Sequence, residues 1–256
     1  MTTWWIVLAG IFGSTIGSFL NVCIYRLPRR QSIVWPASAC PHCGRQLDWY
    51  ENLPIVAYAA LRGRCRTCGG PISIRYPIVE ALTAAMFAGG MWYYGPTVLL
   101  VSRLVLGCAL IVLFAIDLEH YILPNAITVP GIIIGFLFSL ATEPGWFASL
   151  MGILLGGGAL WGLFEAYRLI RHEEGLGFGD VKMLAMIGAF LGWKAVLVTL
   201  VLSSLSGAIV GGIILVSHKG DMKYQLPFGT FLSAAALVAS LFGDTLVNWY
   251  LNLSLV

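Results

Sequence analysis

Charge is what this 256-residue chain has least of, with Asp, Glu, Lys and Arg together making up 11% of it, where a soluble domain carries about a quarter. That scarcity excludes an ordinary solvated surface. Residues 1 to 8 hold no basic side chain and no small-residue cleavage site follows the first apolar run, so a removed signal peptide is not expected and that run reads as a retained span. There is no internal repeat and no low-complexity tract. A nucleotide fingerprint is missing too, since Gly156-Gly157-Gly158 lies in an apolar run without a strand-loop-helix setting and reads as a site of close helix packing. No nucleic-acid partner is expected. What is present is 59% hydrophobic residues and a mean hydropathy of +0.85, the composition of a polytopic membrane protein embedded in a lipid bilayer.

The few basic residues are distributed unevenly. Thirteen of the fifteen Lys and Arg fall in segments that one threading places on a single side, leaving Arg103 and Lys194, and the positive-inside bias makes that side the cytoplasm. A first span from about Trp5 to Tyr25 ends in Arg26-Leu27-Pro28-Arg29-Arg30, which puts the N-terminus outside. Further spans are expected at Pro77 to Tyr94, Thr97 to Ile116, Ala126 to Leu140 and Phe147 to Tyr167. A loop from His172 to Gly179 then leads into a short span from Asp180 to about Leu191, a turn at Gly192-Trp193-Lys194 and a seventh span from Ala195 to Val216. After an inner loop, Ser217 to Gln225, the eighth span runs from Phe228 to Tyr250.

Residues 26 to 76 form the one sizeable polar segment, with eight Arg against Asp48 and Glu51. It is too short for an ordinary core and long enough for a metal-stapled unit. Cys40-Pro41-His42-Cys43 and Cys65-Arg66-Thr67-Cys68 are two CxxC knuckles separated by twenty-one residues, close to zinc-ribbon spacing. Four thiolates close a tetrahedral site with no position left for catalysis, so the zinc should be structural. The alternative of disulfides suits a reducing cytoplasm poorly. His42 reads as a surface residue, and Cys23 and Cys108, inside spans, as small apolar fillers. The expected fold is an all-α polytopic membrane protein of about eight transmembrane helices with a small cytoplasmic zinc-ribbon-like insertion. Its parts are a first transmembrane helix (1–25), a cytoplasmic zinc-binding segment with the four cysteines (26–76) and a transmembrane core (77–256).

Asp117 and Asp180 stand out within that core. An ionisable group at the edge of hydrocarbon costs several kcal/mol unless it is paired or wetted. Each has a plainer reading, Asp180 as a helix N-cap and Asp117 as an interfacial carboxylate solvated by headgroups. Their common side, and the Gly- or Pro-containing loop beside each, favour a working pair. At a separation of about 4 Å and an effective dielectric near 20, repulsion is on the order of 4 kcal/mol, against about 0.3–1 kcal/mol from a helix N-terminus. Such a pair holds one proton. Gly177 and Gly179, just before Asp180, allow unusual dihedrals and the close approach of an extended peptide. Among other polar residues in the spans, Arg103 is placed to meet an acid or to snorkel outward. Glu80 suits a helix N-terminus, and Asn21 a hydrogen bond across helices.

In order along the chain, Gly17-Ser18-Phe19-Leu20-Asn21-Val22, Tyr25-Arg26-Leu27-Pro28, the two CxxC pairs, Glu51-Asn52-Leu53-Pro54, Arg75-Tyr76-Pro77 with Glu80, Asp117 through Leu123-Pro124, and Gly177-Phe178-Gly179-Asp180-Val181-Lys182 resemble the type IV prepilin peptidases. The resemblance runs from residue 13 to about residue 230. It implies a bifunctional inner-membrane enzyme that cuts the leader of prepilins or pseudopilins after a glycine and methylates the new N-terminal amine from S-adenosylmethionine. It also implies that Asp117 and Asp180 are the catalytic aspartates, that Gly177, Gly179 and Lys182 position the substrate or the loop, and that Gly63 and Arg64 are linked to methylation. Asn125 departs from the family pattern, which often has Asp after Leu-Pro.

Two competing readings carry distinct signatures. A presenilin-like intramembrane aspartyl protease shares the GxGD string, but its Pro-Ala-Leu element is missing and it has no zinc ribbon. A non-enzymatic assembly scaffold would use the zinc unit to dock partners and would tolerate Asp117→Asn and Asp180→Asn. Glu173 and Glu174 are candidates for local recognition of a basic leader.

Overall fold

The computed structural model describes residues 3–171, 177–217 and 226–253. Among these the chain is helical, with α1 (Thr3–Arg26), a 3-10 turn (Trp49–Asn52), α2 (Val56–Ala60), α3 (Arg75–Tyr94), α4 (Val98–His120), α5 (Asn125–Ser139), α6 (Trp146–Arg171), α7 (Phe178–Ser217) and α8 (Phe228–Leu253). Residues 172–176 and 218–225, and with them Glu173 and Glu174, lie outside the described residues. The chain forms two compact units, residues 1–104 and 105–256.

In the first unit α1 lies against α3 along a glycine seam. A Cβ added to Gly13 would sit 2.7 Å from that of Phe87, and one added to Gly17 would sit 2.7 Å from the Glu80 Cα, so small residues four apart let the two backbones touch. Asn21 Nδ2 donates to the Tyr76 carbonyl at 3.1 Å, which is the cross-helix bond its position suggests. Glu80 does something the sequence does not announce. Buried one turn into α3, its carboxylate accepts the Ile55 N–H at 2.7 Å and so anchors the segment that carries the cysteines. Ile55 has φ 62, a left-handed conformation that costs a β-branched residue on the order of 1–3 kcal/mol and needs such an anchor.

In the second unit α7 is the central element, packed by α5, α6 and α8. Glycine again sets the spacing: the Gly152 and Gly188 backbones meet, and Gly156 abuts the Leu184 carbonyl. Of the triple-glycine run, Gly156 therefore makes the close approach, while Gly158 faces open space. A straight α7 would be about 60 Å long, twice the hydrocarbon thickness. It is broken at Gly192 (φ 78, ψ 174), where the turn is expected, and its two arms take Met183, Leu184, Met186, Ile187, Phe190 and Val196 into the core.

The distribution of side chains is inverted relative to a soluble bundle. Ser149, Ser203 and Ser233 are buried, while Leu154, Val201, Leu205, Ile209 and Leu241 face outward. Lipid contact explains both halves, because an apolar surface costs nothing there and a polar group must find a partner inside. Ser149 Oγ, for instance, donates to the Ala189 carbonyl at 2.7 Å. By length and composition three described helices suffice to cross a membrane, Thr3–Arg26, Val98–His120 and Phe178–Val216, beside the shorter apolar stretches Asn125–Ser139, Trp146–Gly162 and Phe228–Gly243.

Candidate active site and metal centre

The end of α4 and the starts of α5, α7 and α8 converge on Asp117 and Asp180. Both carboxyls are buried, at 5% and 8% exposure, and are near enough to act on one another electrostatically. Asp117 Oδ2 accepts two hydrogen bonds from α8, from Thr230 N at 2.7 Å and from Thr230 Oγ1 at 3.1 Å. Asp180 is not the N-cap that a local reading suggests. The helix starts at Phe178, and Asp180 lies in its first turn with its N–H donated to the Gly177 carbonyl at 3.0 Å.

The two glycines of the GxGD string have different duties. Neither has a left-handed φ, so unusual dihedrals are not what either supplies. Gly179 makes a close approach, since a Cβ there would fall 2.9 Å from the Leu123 Cβ, whereas one on Gly177 would meet Asp180 Oδ2 at an ordinary 3.5 Å. Lys182 Nζ donates to Asn125 Oδ1 at 2.8 Å and lies 4.7 Å from the Phe178 ring centroid. It thereby ties the start of α7 to the start of α5. The Asn at position 125 keeps the acceptor that this tie requires.

The four thiols form one cluster. The Sγ atoms of Cys40, Cys43, Cys65 and Cys68 all lie within 4.8 Å of one another, with Cys40 to Cys68 at 3.9 Å. A tetrahedron with metal–sulfur bonds of about 2.3 Å has edges of about 3.8 Å, so the cluster fits a four-coordinate metal. The two knuckles repeat one local design. Cys40 N donates to the Arg45 carbonyl and Gly44 N to that of Cys40, while Cys65 N donates to Gly70 and Gly69 N to Cys65; Gly44 and Gly69 have φ 70 and 69. Backbone N–H groups of Cys68 and Thr67 aimed at the Cys65 sulfur bring its pKa down to about 6, favouring the thiolate a metal requires. His42 is exposed, with a ring nitrogen 3.2 Å from the Pro71 carbonyl oxygen, and Cys23 and Cys108 lie in α1 and α4, outside the cluster. An ion-pair network braces the segment: both Glu51 oxygens lie 2.6 Å from Arg45 Nη2, and Glu51 Oε2 accepts the Asp48 N–H at 2.9 Å. The Arg45 hydrogen bond, foremost, holds the Glu51 carboxyl below the usual carboxylate range.

Gly63 and Arg64 sit where the second knuckle begins. Gly63 has φ 67, and a Cβ on it would lie 2.9 Å from the Tyr58 hydroxyl, so the fold alone demands glycine. Arg64 is exposed. Three residues at the acids have roles that a sequence reading does not assign, although Leu123 falls within a stretch that carries the resemblance. Thr230 grips Asp117, Gly229 leaves room for Asp117 Oδ2 (3.0 Å from its missing Cβ), and Leu123 fills the space between Gly179 and Gly229. The only sequence signal is a Gly-Thr pair opening an apolar run.

Comparison with known proteins follows the same division. The model of the bacterial peptidase A24 N-terminal domain matches residues 11–94, and that of the type IV leader peptidase family matches residues 104–212. A prepilin leader peptidase/N-methyltransferase of Aeromonas hydrophila is 39% identical over 96% of this chain and 93% of its own length. One of Pseudomonas aeruginosa is 36% identical, covering 94% and 92%, and one of Myxococcus xanthus is 44% identical, covering 81% and 62%. No solved structure matches. With two matching family models in chain order and the Aeromonas and Pseudomonas relatives similar along nearly their whole length, the chain belongs to the type IV leader peptidase family.

Proposed function

We propose that this chain is a multi-pass enzyme of the bacterial inner membrane that removes the leader of type IV prepilins or pseudopilins after a glycine and methylates the exposed amine. Asp117 and Asp180 are its proteolytic pair. The observation that carries this reading is their convergence: two buried carboxyls from helices sixty-three residues apart in sequence, within electrostatic range at one end of the second unit. An ionised aspartate takes a proton from water, the protonated one donates to the scissile carbonyl, and the proton returns to the leaving amine. No covalent intermediate is required. With α7 counted as two arms the helices supply eight spans, α1, α3, α4, α5, α6, two from α7, and α8. The positive-inside bias sets the acids and the cysteine segment on the cytoplasmic side, where a membrane-inserted pilin with a basic leader presents its cleavage point. Gly179, against Leu123, and Lys182, through Asn125, position the turn that carries Asp180.

The four cysteines hold a structural zinc, which fits their spacing and leaves no ligand position open. S-adenosylmethionine supplies a methyl group on a sulfonium. For its site the chain offers an exposed guanidinium, Arg64, suited to the cofactor's carboxylate, next to the Gly63–Tyr58 contact that fixes the backbone there. The test is to incubate the purified enzyme with a prepilin-like peptide and S-adenosylmethionine and weigh the products. Loss of the leader mass and a gain of one methyl by the mature fragment are expected, and an intact peptide contradicts the proposal.

A further inference from the structure

We propose that Thr230 is a positioning residue that fixes Asp117 as the ionised member of the pair and leaves the proton on Asp180, an inference that rests on the aspartyl-protease reading above. The geometry is asymmetric. Three donors face the Asp117 carboxylate, Thr230 N and Thr230 Oγ1 on the same oxygen and the backbone N–H of Gly229, all from the first turn of α8. Among the described residues the Asp180 carboxyl faces one, the backbone N–H of Gly177. Hydrogen bonds donated to a carboxylate favour its charged form, and an oxygen already taken by two donors is poorly placed to carry a proton itself. Each acid also meets a helix N-terminus, Asp117 that of α8 and Asp180 that of α7, so the difference between them lies in the donated hydrogen bonds. Gly229 is what lets α8 come this near, since any Cβ there would crowd Asp117 Oδ2 at 3.0 Å.

Nothing else around Asp117 reverses the asymmetry. From α7 the facing titratable group is Asp180, while Lys182 is engaged with Asn125 and Phe178. Residues 228–243 of α8 and all of α5 contain no Asp, Glu, Lys, Arg or His, and α4 itself carries Glu119 and His120 just after Asp117 and Arg103 about four turns before it. The roles then divide. Asp117 takes a proton from water as the water oxygen bonds to the scissile carbon, and Asp180 gives its proton to the carbonyl oxygen. On collapse the proton held by Asp117 goes to the departing nitrogen, the carbon–nitrogen bond breaks, and a hydroxyl proton of the diol returns to Asp180, restoring the starting state.

The experiment is cleavage rate against pH for wild type, Thr230→Val, Thr230→Ala and Thr230→Ser, with Asp117→Asn and Asp180→Asn assayed in parallel. The acidic limb reports the group that must be ionised, and losing a donated hydrogen bond makes that group hold its proton to higher pH. Thr230→Val should lower kcat about tenfold and move the acidic limb up by roughly one pH unit, as expected for one hydrogen bond to a charged group. KM and the alkaline limb should stay put. Thr230→Ala, which keeps the backbone donor, should shift the same limb if the Val variant does not fold, and Thr230→Ser should restore it. An unmoved acidic limb with a lowered plateau, or a shifted alkaline limb, overturns the assignment. Cleavage surviving in the Asp variants instead overturns the protease pair itself.

Discussion

Replacing Gly179 by Ala puts a methyl group 2.9 Å from the Leu123 Cβ and 3.4 Å from its Cδ1. The closest atom is the Leu123 Cβ, which moves only with the backbone, so a change of Leu123 rotamer does not relieve the contact. Relief therefore requires the first turn of α7 to move by roughly half an ångström or more, at a cost of about 1–3 kcal/mol for an overpacked site. That turn carries Asp180, and displacements of this size at reacting groups lower rates by up to about 10²-fold. Gly177→Ala is the control. Its Cβ would meet Asp180 Oδ2 at 3.5 Å, an ordinary contact, and its φ suits any residue, so activity should stay within about threefold. Steady-state cleavage with thermal unfolding of both variants, and of Gly179→Ala combined with Leu123→Ala, tests the argument. The double variant should lose less than the two single changes together, because removing the Leu123 Cγ and methyls relieves the outer contacts and lets residue 123 shift away from the new Cβ. Equal losses for the two glycines, or strict additivity, would refute the role given to Leu123.

One zinc per chain is expected by metal analysis, and Cys40→Ser or chelation should release it and expose residues 27–74 to proteolysis, since so small a segment has little else to hold it; an absence of zinc refutes the centre. Arg64→Ala should impair methylation of precut peptide while cleavage of uncut peptide continues, with Arg64→Lys intermediate; normal methylation by Arg64→Ala contradicts the site. Arg64 is a cleaner probe than Gly63, whose replacement disturbs the Tyr58 contact as well. Glu51 gives a pH signature. Its carboxyl is held below the usual range by Arg45, so its contribution is present above the ordinary carboxylate pKa and is lost as pH falls through the lower folded value. The stability gap between wild type and Glu51→Gln should therefore be full at neutral pH and close in acid; a gap that widens in acid reverses the sign.

How much of this was legible in the sequence depends on the range of the signal. The knuckles, the turn at Gly192, the glycine contacts of α6 and the cross-helix role of Asn21 are written in local spacing or in one residue's cost in lipid. The grip of Thr230 on Asp117 joins residues 113 apart, and that of Glu80 on Ile55 residues 25 apart, with no periodicity to mark either. Local rules also misled. Asp at a helix start reads as an N-cap, yet α7 gains a turn's beginning from Phe178 and Gly179 and leaves the Asp180 side chain to the site. Glycines read as dihedral relief prove in one case to be a matter of contact with Leu123.

The most direct measurement of the central claim is the mass of a prepilin-like peptide after incubation with purified Asp117→Asn or Asp180→Asn enzyme that retains its metal. The peptide should emerge uncut from both variants, because neither acid can do the other's work, while the Asp180→Asn enzyme still methylates a peptide supplied precut. Substantial leader removal by either variant contradicts the two-aspartate account.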